Sequence, residues 1–228
     1  MDKKDHSGMK FLEVNGVALH YAETGDGKPV LMVHGNGESH EILSSEIRRL
    51  SEEGYRVCAP DSRGHGANAP LPELHYGDMA EDMYQLIRKL GLEKPAFYGF
   101  SDGGIIGLML EMAHPGTLGL LAVSGVNLSP EGLTEDLLRE SAGREDPFTR
   151  MMLTEPHIPP EALGAVRIPV LVTAGENDVI RPEETKRIAE HLPQAELLVL
   201  AGETHGSYVE NSEVMGELLV RFFRKYGY

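Results

Sequence analysis

Residues Pro95 to Gly107, PAFYGFSDGGIIG, constrain the fold of this 228-residue chain more than any other stretch. An apolar run ends at Phe100, and Ser101 opens a run of glycine and isoleucine. The first run reads as a strand, the second as a helix rich in small residues. A strand that turns at once into a helix puts its pivot residue in a strained conformation. The two backbones approach only where the neighbours are small, as Gly99 and Gly103 are. Gly99 to Gly103 fits G-x-S-x-G, a turn that lifts the serine hydroxyl off the sheet edge. The N-terminus of the following helix then lies beside the hydroxyl as a site for negative charge.

The rest of the chain repeats this rhythm. Lys10 to Tyr21 alternates around Asn15-Gly16, a type I′ hairpin signal. Pro29 to Val33, Tyr55 to Ala59, Leu118 to Val123, Ile168 to Thr173 and Leu197 to Leu200 are apolar runs of strand length. Helical spacing is expected between them: about Ser39 to Glu53, from Gly77 to a stop at Gly91, from Pro182 to His191. A final helix is expected to be capped by Asn211, with Val214, Leu218, Leu219, Phe222 and Phe223 facing inward. About eight strands alternating with amphipathic helices imply an α/β fold built on a mostly parallel sheet. Residues 127–167 break the rhythm with five prolines and short amphipathic pieces. They read as a small cap inserted into a single domain that spans residues 1–228. Residues 1–9 are polar and expected to be disordered.

Composition narrows the partners. A net charge of −15 disfavours nucleic acid and anionic membrane surfaces. No 18-residue apolar window and no apolar leader are visible, so a cytoplasmic location is expected. The lone cysteine, Cys58, excludes an internal disulfide and reads as a buried, inert thiol.

Ligands of such sheets gather beyond the strand C-terminal ends. Ser101, Asn36, Asp178 and His205 each follow an expected strand. A serine hydroxyl needs a base within hydrogen-bond reach, and the base needs an acid to hold its tautomer. Of the ten histidines, His205 in GETHG follows the last strand, and Asp178 in GEND follows the strand before it. Glu176 is the fallback acid. The chain order Ser101, Asp178, His205 is one of the known orders of such a triad. The backbone N–H groups of Asp102 and Asn36 are the expected donors to a developing oxyanion. Asp102 reads either as an anionic pocket for a substrate ammonium or as a carboxylate complementing the helix N-terminus. Arg63 and His65 read as loop-fixing residues. Phe148, Met151 and Met152 read either as a substrate-facing cap wall or as packing of the cap. Gly35-Asn36-Gly37 is not a dinucleotide loop, because His40 stands where a third glycine belongs. No ligand spacing supports a metal site.

HGNG, DSRGHG, GFSDGG, GEND and GETHG, in this order, resemble the α/β-hydrolase fold superfamily, its small serine hydrolases in particular. The resemblance runs from about Lys10 to Tyr226. The Asp after the serine is similar to hydrolases that cleave esters, amino-acid esters included. It implies hydrolysis of a small-molecule carboxylic ester without a cofactor. Aminopeptidase, lactonase, C–C hydrolase and perhydrolase are rivals on the same scaffold. A small-molecule receptor that keeps the fold without turnover is the alternative of another class.

Overall fold

A computed structural model describes residues 9–228. Eight strands form one sheet in the order β1-β2-β4-β3-β5-β6-β7-β8. β1 (Lys10–Val14) and β2 (Val17–Thr24) make the expected hairpin. Asn15 and Gly16 both have positive φ, as a type I′ turn demands. β2 also runs antiparallel to β4 (Arg56–Pro60). β3 (Pro29–Val33), β4, β5 (Ala96–Phe100), β6 (Leu120–Ser124), β7 (Val170–Asn177) and β8 (Ala195–Thr204) are mutually parallel.

The continuous apolar runs follow from two covered faces. Alternate residues point to opposite sides, so Leu31, Val33, Phe97, Leu121 and Val123 join one core. Val30, Met32, Tyr98, Leu120 and Ala122 join the other. The first core lies under α2 (Tyr76–Leu90), α3 (Asp102–Ala113) and α6 (Pro182–His191). The second lies under α1 (Ser44–Glu52) and α7 (Val214–Lys225). Cys58 is buried, and burial pushes its thiol up to about 12, so it stays protonated. The expectation for residues 1–9 falls outside the described residues, apart from Met9.

Three local expectations need correction. The helix expected from Ser39 is a 3-10 turn, His40–Leu43, followed by α1. Asp61 draws in the His40 backbone N–H at 2.8 Å, which reshapes the helix entry. Asn211 does not cap α7: it has positive φ in the preceding turn, and Ser212 Oγ accepts from the Val214 N–H instead. Val214 opens that helix and is exposed, whereas Leu219, Phe222 and Phe223 are buried as expected.

Between β6 and β7 lie two short helices, α4 (Glu135–Ser141) and α5 (Pro147–Thr154), and two 3-10 turns. The second turn, Pro160–Ala165, belongs to the main packing, because Leu163 and Val166 are wholly buried in the first core. Among the described residues no helix is long and apolar enough to cross a membrane.

Candidate active site

Ser101 is the N-cap of α3 and has φ 51° and ψ −115°, far from the usual basins of a side-chain-bearing residue. Its environment enforces that conformation. The Ser101 N–H donates to Ser124 O at 2.7 Å, which ties the pivot to β6. A Cβ on Gly99 would sit 2.1 Å from Gly103 O, and one on Gly103 would sit 2.1 Å from Val33 O. Both glycines are therefore required by close backbone approach.

Ser101, His205 and Asp178 form one hydrogen-bonded chain. His205 Nε2 lies 3.1 Å from Ser101 Oγ. His205 Nδ1 lies 2.6 Å from Asp178 Oδ1. The Asp178 side chain is buried and held by two backbone donors, Ile180 N–H to Oδ1 at 3.0 Å and Gly175 N–H to Oδ2 at 3.2 Å. The carboxylate therefore cannot swing away from the imidazole. An imidazole held this way presents its bare nitrogen to the hydroxyl and can take its proton. Glu176, the fallback acid, is exposed and accepts from the Gly202 N–H.

Three features of this arrangement escape a reading of the sequence. Gly125, at φ 60°, lies against the imidazole: a Cβ there would be 2.7 Å from His205 Nδ1. Its position directly after β6, at the sheet edge, is the available signal. Tyr76, twenty-six residues before Asp102, donates its hydroxyl to Asp102 Oδ1 at 2.7 Å. Glu38 follows HGNG directly and lines the cleft with Ser101 and His205.

Asn36 and Asp102 are adjacent, as expected. Asn36 Nδ2 donates to Asp102 Oδ2 at 2.9 Å and to Phe148 O at 3.2 Å, which anchors the residue. Asp102 is buried, and desolvation pushes its carboxyl up while the Tyr76 and Asn36 donors pull it back. Both of its oxygens already have neutral donors at the α3 N-terminus. This favours the helix-complementing reading of Asp102 over the ammonium pocket.

A cleft of about 230 Å3 opens over Ser101. Leu133, Leu137, Met152, Val179 and Ile180 make its apolar wall, with Asp102 and Asn127 among its polar groups. Met152 faces the cleft, but Met151 and Phe148 do not, and the cap-wall reading is corrected for both. Met151 is buried in the first core, one residue around the helix from Met152. Phe148, three residues earlier on the same face as Met151, lays its ring on His65 at 4.5 Å.

The neighbouring loops are fixed from within. Arg63 donates Nε to Asp82 Oδ2 at 2.7 Å and a second N–H to Oδ1 at 2.5 Å, away from the cleft. His65 Nδ1 pairs with Arg63 O. His34 is wholly buried: Nε2 accepts from the Ser62 N–H at 2.9 Å, and Nδ1 donates to Gly35 O at 2.7 Å. Burial pushes His34 down to about 4, so it is neutral. Among the described residues no group of three or more His, Cys, Asp or Glu side chains converges to hold a metal ion.

Comparison with known proteins agrees with this architecture. YisY of Bacillus subtilis, described as an AB hydrolase superfamily protein, is 25% identical over 255 residues, covering 90% of this chain and 95% of YisY. Bifunctional epoxide hydrolase 2 of Sus scrofa is 33% identical over 103 residues, but these cover only 44% of this chain and 19% of that protein. An esterase structure from Thermogutta terrifontis superposes with a TM-score of 0.73 at 22% identity, covering 95% of this chain and 98% of its own. Residues 148–226 match the model of the TAP-like proteins. Residues 28–152, which hold the HGNG loop, the turn at Ser101 and the first half of the inserted segment, match the model of the alpha/beta hydrolase fold. With that match over more than half of its length, on a sheet of the same architecture, the chain belongs to the α/β hydrolase fold family.

Proposed function

We propose that this protein hydrolyses small carboxylic esters through an acyl-enzyme on Ser101. The observation that carries the reading is the continuous Ser101–His205–Asp178 chain on a strained turn, at the floor of a small cleft. Hydrolase chemistry in general has the support of the family and of the esterase among its structural neighbours.

In this mechanism Ser101 Oγ attacks the ester carbonyl while His205 Nε2 takes its proton. The carbonyl π electrons move to oxygen, and the backbone N–H groups of Asn36 and Asp102 hold the resulting oxyanion. Neither N–H has a protein acceptor among the described residues, so both are free for that role. Collapse of the tetrahedral intermediate expels the alcohol, which takes the proton from His205. Water then enters, gives a proton to His205, attacks the acyl carbon and releases the acid with Ser101 restored. Asp178 stabilises the imidazolium in both halves. The apolar wall of Leu133, Leu137, Met152, Val179 and Ile180 takes the acyl chain, and its small volume favours short ones.

Turnover of p-nitrophenyl esters from acetate to octanoate, plus one α-aminoacyl ester, tests the reading in wild type and Ser101→Ala. Multiple turnover in wild type with a loss of about 10⁴- to 10⁶-fold in the variant is expected. Equal rates in both proteins, or a stall after one equivalent, would remove it in favour of a binding protein or a different bond. A preference for the aminoacyl ester would restore the ammonium reading of Asp102.

A further inference from the structure

A second, open cavity of about 580 Å3 adjoins the cleft over Ser101. Of the residues that line the two spaces, Glu38 alone lines both. Its Oε2 accepts from the Gly35 N–H at 2.9 Å, and Oε1 has no hydrogen-bond partner among the described residues. Gly37, His40, Asp61, Ala67 and Asn211 form much of the second cavity.

The position of this space relative to the reacting atoms gives it a role. His205 must hand its proton to the departing alcohol, so the alcohol lies on the His205 side of the carbonyl. Glu38 feels the charge of His205 and of Glu210, and Asn211 belongs to the turn that follows His205. The cavity is therefore on the leaving-group side. The acyl side is the apolar wall formed by the segment between β6 and α6. No lysine or arginine lines the second cavity, whereas Glu38 does. Asp61 adds no free charge, since His40 and Ala67 already occupy its oxygens.

We propose that this second cavity is the leaving-group subsite and takes an alcohol that carries an ammonium cation, with Glu38 as its counter-ion. The proposal rests on the serine-ester reading above and adds the substrate class. It gives a role to a carboxyl that lines the cleft with Ser101: without a counter-charge it opposes an oxyanion formed in that cleft, and a substrate cation cancels it. Burial and the neighbouring Glu210 hold Glu38 up at about 7, the state of a carboxyl that lacks a counter-charge.

Acetylcholine and its neutral isostere 3,3-dimethylbutyl acetate test this directly, as the ratio of their kcat/KM values. Wild type should favour the cation by about tenfold or more. Glu38→Gln, which keeps an acceptor for the Gly35 N–H, should bring the ratio towards one. Ala67→Lys leaves Glu38 in place and should reverse the preference by adding a positive charge to the cavity. Raising salt from about 0.01 M to about 1 M should narrow the wild-type ratio. A wild-type ratio of one or below, or a ratio untouched by both variants, overturns the subsite while Ser101-dependent turnover of the neutral ester keeps the esterase reading. If neither ester is turned over, or Ser101→Ala matches wild type, the esterase reading falls and the subsite falls with it.

Discussion

Two histidine–aspartate pairs stand on the same edge of the sheet, and their carboxylates are bound almost identically. Asp178 accepts from His205 Nδ1 and from the backbone of Ile180 and Gly175. Asp61 accepts from His40 Nδ1 at 2.8 Å and from the backbone of His40 and Ala67. The pairs differ in what the far imidazole nitrogen meets. His205 Nε2 reaches a serine on a strained turn, whereas His40 Nε2 has no protein partner among the described residues. Only the first held imidazole therefore has a hydroxyl within reach. The strained turn supplies the difference, and the His40–Asp61 pair instead shapes the loop between β4 and α2 and the entry to α1.

Substitutions can break this comparison at graded cost. Asp178→Asn keeps the shape but leaves His205 in the wrong tautomer, and kcat on p-nitrophenyl acetate should fall by about 10⁴-fold. Gly125→Ala pushes a methyl onto His205 and strains a positive φ; a loss of about 10²-fold in kcat is expected in a folded protein, checked by circular dichroism. Asp61→Asn, the matching change in the second pair, should cost less than about tenfold in kcat and about 1–3 kcal/mol of stability by denaturant titration. A loss there as large as that of Asp178→Asn would abolish the distinction.

A third carboxyl sharpens the comparison from the opposite direction. Glu46 on α1 is wholly buried, and neither oxygen has a partner beyond its own backbone. Burial pushes it up to about 8. Between its ordinary range near 4.5 and about 8, the folded protein keeps a proton that the unfolded chain releases. Stability should therefore decline as pH rises through that window, by about 1 kcal/mol per pH unit from this group alone. Melting temperatures measured from about pH 5 to about pH 8 should fall less steeply in Glu46→Gln than in wild type. Parallel curves would show that Glu46 does not carry the dependence.

The sheet and the three members of the chain around Ser101 were legible because each follows an apolar run, and parallel topology gathers strand ends at one edge. Residues whose roles depend on contacts between distant elements were not. Nothing local marks Tyr76 as the partner of Asp102, or Gly125 as the floor beneath His205. The orientation of α5 was open for a related reason. Phe148, Met151 and Met152 are equally apolar, and only packing against the first core decides that Met152 turns to the cleft. Asn211 misled because its type suits a helix cap, while a left-handed turn suits it equally well.

The tie between Ser101 and β6 has one more consequence. The pivot conformation is unfavourable alone and is held by the Ser101 N–H bond to Ser124 O and by the close approach of Gly103 to the β3 carbonyl of Val33. The reactivity proposed for Ser101 would thus be a property of the assembled sheet. An organophosphorus probe that labels activated serines should mark only molecules in which β3, β5 and β6 are joined. On heating, labelling should vanish together with the sheet rather than with the inserted segment, which would make Ser101 an internal reporter of the integrity of its own scaffold.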